Sequence, residues 1–412
     1  MDQNAARGAA GVQRGHSTEQ LRRHNLSTIL GHVHVAGPSS RSDLAALTGL
    51  NRSTIADLVG ELAALGLVDD EGVAPGSGPG RPSALVQVRP HAAVVLAVEL
   101  AVDSVAVATI GLGGHIYNRV RIDRPRGRFS PDETVEDVAN LAQPLLAALP
   151  DTNALVGVGV GVVGVTRRSD GFVHLAPNLG WRDVPLGAAM ARALEVGVPV
   201  SVANEADLGA LGEHLRGAGS GVSHLIFVSG EVGIGTGLIV GGTPLLGATG
   251  YAGEAGHMLI NPAGTVCRCG AIGCWETEAG EGALLQHAGL SGAETGDAGV
   301  DAVIARAERG DPAAVDAIAK VGHWLGVGIG DLINLFNPER VVLGGMFHRL
   351  FPLIEAHVHS GVGSRALAAP ARLVTVTRAG LGVDAPLVGA AELALSAVVA
   401  APASVREPID TG

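Results

Sequence analysis

From residue 17 onward the apolar positions fall at helical spacing. Ser17 opens a helix with Gln20 three residues later, the spacing of a capping box. Leu26, Ile29, Leu30 and Val33 then recur at i, i+3, i+4 and i+7, one apolar face that Gly37-Pro38 ends. Ser40 caps a second short helix, with Asp43 at its third position and Leu44 and Leu47 turned inward. Thr48-Gly49-Leu50 reads as a tight turn. Asn51 caps a third helix striped by Ile55, Leu58, Val59, Leu62 and Leu65. Leu67-Val68 is extended, Asp69–Ser83 reads as a Gly/Pro-rich loop, and Ala84–Val88 is a second extended run. Three helices followed by two strands around a loop is the order of a winged helix-turn-helix, which assigns residues 17–90 to a DNA-binding domain behind an unpatterned arm, residues 1–16.

Beyond residue 91 the period changes from helical to strand-like. Ala92–Leu100, Ser104–Ile110 and Ile116–Ile122 are three apolar runs joined by short turns. Pro131–Leu149 reads as a helix, and Leu155–Val165 as a glycine-studded strand. A helix near Leu186–Leu194 leads to strand Val198–Val202 and helix Glu205–Leu215. The order βββαβαβα predicts a mixed α/β sheet. A second round opens at His224–Ser229 and Thr236–Val240 and runs through helices to a strand at Arg340–Leu343. Two similar α/β lobes with a cleft between them are expected, residues 91–200 and 201–400, with a flexible tail at 401–412.

Composition narrows the class. The chain of 412 residues is 47% hydrophobic but only 3% aromatic, so its cores must be built from Val, Leu, Ile and Ala. The 61 glycines show no triplet period, which excludes collagen and points to turns and close backbone approaches. The uncharged stretch Val232–Gly253 contains eight glycines and a proline and reads as strands and turns, not as a membrane span. No apolar run follows Arg7 and Arg14, so no signal peptide is expected. Three cysteines clustered at 267, 269 and 274 favour a metal in a reducing compartment over disulfides, hence the cytoplasm.

The net charge of −12 lies entirely beyond residue 90, because residues 1–90 hold 8 Arg and 8 Asp or Glu. An acidic body does not bind nucleic acid by bulk charge, whereas a neutral head with locally placed arginines can. In a helix-turn-helix the first turn of the third helix meets base edges. Here that turn is Asn51-Arg52-Ser53-Thr54. Arg52 can bond a guanine edge through two donors, while Asn51, Ser53 and Thr54 reach bases or phosphates. Arg41, at the start of the second helix, is a phosphate contact, and Arg81, between Gly80 and Pro82 in the wing, is a candidate for a minor groove. The alternative is a three-helix core whose polar face is simply solvated or docks a protein partner.

His257, Cys267, Cys269 and Cys274 supply four soft or borderline donors, the set of a closed tetrahedral Cys₃His zinc site. No coordination position is left open, so one structural zinc per chain is expected. A cluster of free thiols is the alternative.

The run from Gly256-His257 through Cys267-Arg-Cys269-Gly270 to Gly273-Cys274-Trp-Glu276 is similar to the signature of the ROK family of repressors and sugar kinases. Pro177-Asn178-Leu179, Gly180-Trp181, Ala203-Asn204-Glu205-Ala206, Gly233–Gly237 and Leu343-Gly344-Gly345 match as well, and the N-terminal winged helix resembles the repressor branch. The resemblance implies two actin-like, RNase-H-like lobes closing on a sugar. It assigns Asn204, Glu254, His257 and Glu276 to sugar hydroxyls, with His257 bonding metal through one ring nitrogen and facing sugar through the other. Carboxylates and amides suit hydroxyls, which both donate and accept. Glu205, Gly164 and Asn178 are further candidates. For Asn204-Glu205 a helix cap with an acid in the first turn is an equally good reading, and the two are compatible.

Kinases of the family place Asp as base where this chain has Glu205, one methylene longer. A displacement of about 1 Å can cost on the order of 100-fold in rate. Their first phosphate loop runs Asp-x-Gly-Gly-Thr; here Glu99-Leu-Ala-Val102-Asp103-Ser104 offers neither glycine nor a hydroxyl at Val102. Gly233–Gly237 retains the second glycine loop. The balance predicts a sugar-responsive, DNA-binding repressor without catalytic residues, working as a homodimer or homotetramer on operator DNA. An ATP-dependent sugar kinase is the alternative, and a sugar-dependent adaptor for a protein partner is a third reading.

Overall fold

The computed structural model describes residues 18–73, 84–127, 129–149, 154–290 and 295–406. They form two compact units. One holds the described residues up to Arg89 together with those from Val398 onward; the other is Pro90–Ala397.

The first unit begins with α1 (Thr18–Ala36), whose Leu26, Ile29, Leu30 and Val33 are buried. A two-residue strand, β1 (Ser39–Ser40), precedes α2 (Arg41–Thr48). Ser40 and Asp43 form the reciprocal capping box, and Gly49 ends the helix with its N–H on Ala45 O. Helix α3 (Arg52–Ala64) buries Ile55, Leu58, Val59 and Leu62. Leu47 departs from expectation: it is 51% exposed, because Leu44 alone fills the contact beneath this short helix. The wing strands are β2 (Val68–Val73) and β3 (Ala84–Val88), antiparallel, with β1 on the other side of β3. The strand therefore runs through Asp69–Val73, where the acids and glycine suggested loop; pairing with β3 overrides that local preference, with a register shift between Asp69 and Gly72. The remainder of the wing loop, including Arg81, and Ser17 lie outside the described residues. Pro402–Arg406 form a short 3₁₀ turn packed on α1, in a stretch that reads as flexible tail.

The second unit repeats one topology twice. Its first lobe carries β4 (Val94–Leu100), β5 (Ser104–Gly111), β6 (His115–Asp123), α4 (Pro131–Ala147), β7 (Leu155–Val162), β8 (Val165–Arg167), β9 (Phe172–Ala176), β10 (Trp181–Val184), α5 (Leu186–Leu194) and β11 (Val200–Asn204). Helix α6 (Glu205–Arg216) leads to β12 (Leu225–Gly230), β13 (Ile234–Val240) and β14 (Thr243–Pro244). There follow α7 (Trp275–Ala279), α8 (Glu281–His287), α9 (Gly296–Glu308), α10 (Pro312–Phe336), β15 (Arg340–Gly345), α11 (Met346–Arg365), α12 (Ala368–Ala371), β16 (Thr375–Arg378) and α13 (Ala385–Ala400).

The sheets are ordered β6-β5-β4-β7-β11 and β14-β13-β12-β15-β16. In each, a leading antiparallel meander is extended by two parallel strands, β7 and β11 or β15 and β16. The small antiparallel sheet β8-β9-β10 is an insertion that the expected element order lacks, because its strands are only three to five residues long and carry Arg, His and Asp. Strand β4 is buried along its whole length, as a central strand covered on both faces must be. Helix α13 covers β7 at short range: a β-carbon at Gly159 would lie 1.9 Å from Ala390 O, so only glycine fits. The stretch Gly382–Ala400 is long and apolar enough to cross a membrane by length and composition, but more than half of it is buried inside the protein.

Candidate functional site

Parallel strands in both lobes end at one place, and side chains just beyond their carboxyl ends meet there, as open α/β sheets favour. Strand β4 delivers Val102, β7 delivers Gly164, β11 ends on Asn204 and β12 is followed by Glu231; all line one cavity of about 200 Å³. At ~30 Å³ per water that is room for about six or seven waters, or one small ring. Glu254, His257 and Glu276 close the opposite wall, and Asn178, Arg268 and Cys269 complete the lining. All seven residues expected around a sugar thus share one cavity.

Asn204 fulfils both of its readings. Its Oδ1 accepts from Ala206 N (2.8 Å), with Asp207 N at 3.4 Å, capping α6, and its Nδ2 donates to Gly164 O (2.9 Å). Gly164 is therefore a backbone partner: at φ +110 a side chain there would also strike Leu175 O at 2.4 Å. Asn178 Oδ1 accepts from Arg268 Nη1 at 2.7 Å, tying the segment before β10 to the cysteine loop.

Glu205 heads α6. Burial, reinforced by the charge of Glu231, drives its carboxyl far above the ordinary range. Its Oε2 is buried and has no hydrogen-bond partner among the described residues. Glu99, at the end of β4, is 3% exposed; burial lifts it to about 7, although Arg121 Nη1 lies 3.8 Å away. Burial also raises Glu254, with His257 opposing.

His257, Cys267, Cys269 and Cys274 bring their donor atoms within 4.8 Å of one another. Cys269 Sγ and Cys274 Sγ are 3.6 Å apart, and Cys267 Sγ is 3.7 Å from His257 Nδ1. A tetrahedron with metal–sulfur bonds of ~2.3 Å and a metal–nitrogen bond of ~2.0 Å has edges of about 3.8 and 3.6 Å. The four donors therefore fit a single metal ion, with Nδ1 on the metal side and Nε2 left for the cavity. Glu276 stands between the two functions, its Oε1 2.8 Å from Cys267 Sγ and 3.6 Å from His257 Nδ1.

A second cavity of about 60 Å³ adjoins the first through Glu231 and Ser229 and is lined by Glu99, Asp103, Arg126, Glu281 and Arg349. Arg126 crosses it. Its Nη1 and Nη2 donate to the two oxygens of Glu281 at 2.9 and 2.7 Å, and its Nε and Nη2 reach Asp103 Oδ2 at 3.2 Å. Glu281 also accepts from Gly296 N.

In the first unit, Arg52, Asn51 and Ser53 are exposed at the start of α3. Asn51 Oδ1 is engaged as the cap, accepting from Thr54 N (2.9 Å) and Ser53 Oγ (2.7 Å). Arg41 is not free as expected: its guanidinium pairs with Asp70 of β2. Arg22 pairs with Glu61, Arg23 with Glu19 and Arg89 with Asp69. Arg52, unlike Arg22, Arg23, Arg41 and Arg89, makes no ion pair among the described residues.

Sequence reasoning missed Glu231, Arg268 and Arg126. An acid inside the glycine run Gly230-Glu231-Val232-Gly233 was the available signal for the first, and the position between two cysteines of the four-donor cluster for the second. Arg126 gave none, because both of its acids are distant in sequence.

The chain is similar to a putative xylose repressor of Caldicellulosiruptor sp. (strain Rt8B.4), 32% identical over 391 residues, which cover 92% of this chain and 96% of that protein. It is similar also to a glucokinase of Streptomyces coelicolor (strain ATCC BAA-471 / A3(2) / M145), 30% identical over 317 residues, 73% of this chain and 97% of the kinase. Among solved structures, a ROK family transcriptional regulator, a homolog of the E. coli MLC protein, superposes with a TM-score of 0.77 at 25% identity, covering 93% of this chain and 99% of that one. The ROK family profile matches residues 95–397, and with the metal quartet and the shared cavity in place the chain belongs to the ROK family.

Proposed function

We propose that the protein is a sugar-responsive transcriptional repressor of carbohydrate-use genes. The observation that carries the reading is the pairing, in one chain, of a polar cavity beside a four-donor loop with a winged helix whose Arg52 is exposed and without an ion pair among the described residues. A sugar is held by Asn204, Glu205, Glu254, His257 and Glu276, with Asn178 and the Gly164 backbone at the edge. The metal is a structural zinc that fixes the tautomer of His257 and aims Nε2 at the ligand. Arg52 reads a base edge, and Asn51, Ser53 and Thr54 supply neighbouring contacts. Arg41 reaches phosphate only by leaving Asp70. Arg81 is kept as a wing contact. Two-fold heads of a homodimer, or of a homotetramer, read half-sites about one helical turn, ~34 Å, or a multiple apart. Such a regulator works in the cytoplasm.

The relatives support a regulator over a kinase. The repressor match spans 92% of the chain, whereas nearly the whole glucokinase leaves about a quarter of it unmatched. The chemistry agrees. Glu205 stands where the family's kinases carry Asp, and the run Leu100-Ala101-Val102-Asp103 lacks the glycines and hydroxyl of a phosphate loop. We read the body as a sensor without phosphoryl transfer.

The test is operator binding by fluorescence anisotropy with DNA from the promoter upstream of the gene. Arg52→Ala is expected to weaken binding at least tenfold, and one member of a saccharide panel should shift the affinity of the wild type. ADP release with any panel sugar, together with indifference to every duplex, would establish the kinase instead.

A further inference from the structure

The two lobes of the second unit meet at a charged contact that the saccharide cavity does not use. Arg126 follows β6 in the first lobe, and Glu281 opens α8 in the second. The guanidinium donates through Nη1 and Nη2 to the two carboxylate oxygens at 2.9 and 2.7 Å, the forked geometry of a strong charge-assisted pair. Glu281 is 4% exposed, so little water competes for it. The backbone approaches closely here as well. A β-carbon at Gly296, at the start of α9, would lie 2.8 Å from Asp103 Oδ2 and 3.3 Å from Arg126 Nη2, so a side chain there would wedge the lobes apart.

Both partners have a second place to go. Arg126 also reaches Asp103, in the turn between β4 and β5 of its own lobe, through Nε and Nη2, but at 3.2 Å. The Asp103 side chain is 35% exposed. Glu281 Oε1 also accepts from Gly296 N at 2.7 Å, within its own lobe. Parting an ion pair is costly when it strands a buried charge. Here neither charge is stranded. On separation Arg126 turns fully to a water-exposed acid, while Glu281 keeps a backbone donor and gains water. The guanidinium is thus shared between a short bond across the lobes and a longer one within its lobe, which gives the contact two discrete arrangements. Beside the larger cavity the lobes touch through Arg268 and Asn178, a bond to a neutral amide and a weaker tie than a forked ion pair.

We propose that Arg126 is a two-position latch: bonded to Glu281 it holds the lobes together before any ligand arrives, and released onto Asp103 it lets them part. The inference goes beyond the repressor reading and holds for a sensor or a kinase alike. A ligand of the closed cleft binds in proportion to the fraction of molecules already closed, so the latch sets sensitivity without touching the ligand.

The experiment is double electron–electron resonance on the full-length, zinc-loaded protein without ligand. Nitroxides are attached through an unnatural amino acid at the exposed positions Glu136 on α4 and Glu308 on α9, which spares the cysteines. The wild type is expected to show a predominant short distance. Arg126→Gln and Glu281→Gln are each expected to raise the longer-distance fraction at least threefold, and the double variant no further than either single one. Asp103→Asn removes only the alternative partner and is expected to leave that fraction at or below the wild-type level. An unchanged distribution in the two glutamine variants, additive effects in the double variant, or widening by Asp103→Asn overturns the inference. Should a glutamine variant not fold, Arg126→Lys keeps the charge but not the fork and is expected to raise the longer-distance fraction to a smaller extent; a distribution equal to wild type then overturns the latch.

Discussion

Glu99 shows how one sealed carboxyl shapes the pH response of the whole protein. Burial lifts it from an ordinary 4.5 to about 7, and the opposing pull of Arg121 at 3.8 Å is too distant to cancel that. Asp103 and Asp384 add repulsion, and Arg119 a weaker attraction. Between these two values the folded chain keeps a proton that the unfolded chain has released, so stability falls as pH rises through the window, by about 3 kcal/mol at most for this group. Glu99→Gln is expected to flatten the fall: its melting temperature should change less between pH 5 and pH 8 than that of the wild type, in paired thermal melts. The residues whose chemistry is local were readable from sequence. His257 and the three cysteines declare themselves by donor type and spacing, and Asn204 by standing where a strand meets a helix. Glu231 and Arg126 were not readable, because what distinguishes them is burial and partners supplied by segments far away in the chain.

The cysteine loop has little apolar core of its own. Leu259, Val266 and Ile272 are 60%, 71% and 53% exposed, and its backbone is joined by isolated bridges, Leu259 with Cys274 and Val266 with Ile272, and by turn hydrogen bonds such as Cys267 N to Ala271 O. With so little apolar burial, a metal held by His257 and the three cysteines would supply much of its stability. Chelation, or Cys274→Ser, is expected to lower the melting temperature and expose Arg268 to trypsin; the cleavage product can be identified by mass spectrometry. The reverse case is β7, whose fit under α13 depends on a missing side chain. Gly159→Val is expected to destabilise the body by roughly 3 kcal/mol or more, or to prevent folding, as judged by urea denaturation. Elements with strong periodicity, such as α1, α3 and α5, were legible. The sheet β8-β9-β10 was not, since strands of three to five residues carry too few positions to show alternation, and β2 was hidden by acids whose strand pairing is imposed by β3.

At the scale of the molecule, charge is segregated. A head with as many acids as arginines faces a polyanion, and four of its arginines are already paired. Of the other four, Arg52 and Arg81 are the expected DNA contacts, so the head should neutralise about two charges of the duplex and its log–log salt slope should be near −2, shallow for a DNA binder. Titrations of operator DNA between 50 and 200 mM potassium chloride check this; a slope several-fold steeper would mean that the pairs, Arg41–Asp70 first, open on contact. The seating of α13 has a further consequence for how the chain is made. Its greasy surface is translated long after the groove in β7 that receives it. Until then a partly synthesised body shows an uncovered hydrophobic trough, a natural handle for chaperones, and a ribosome that stalls before Ala385 would release a product fit mainly for proteolysis.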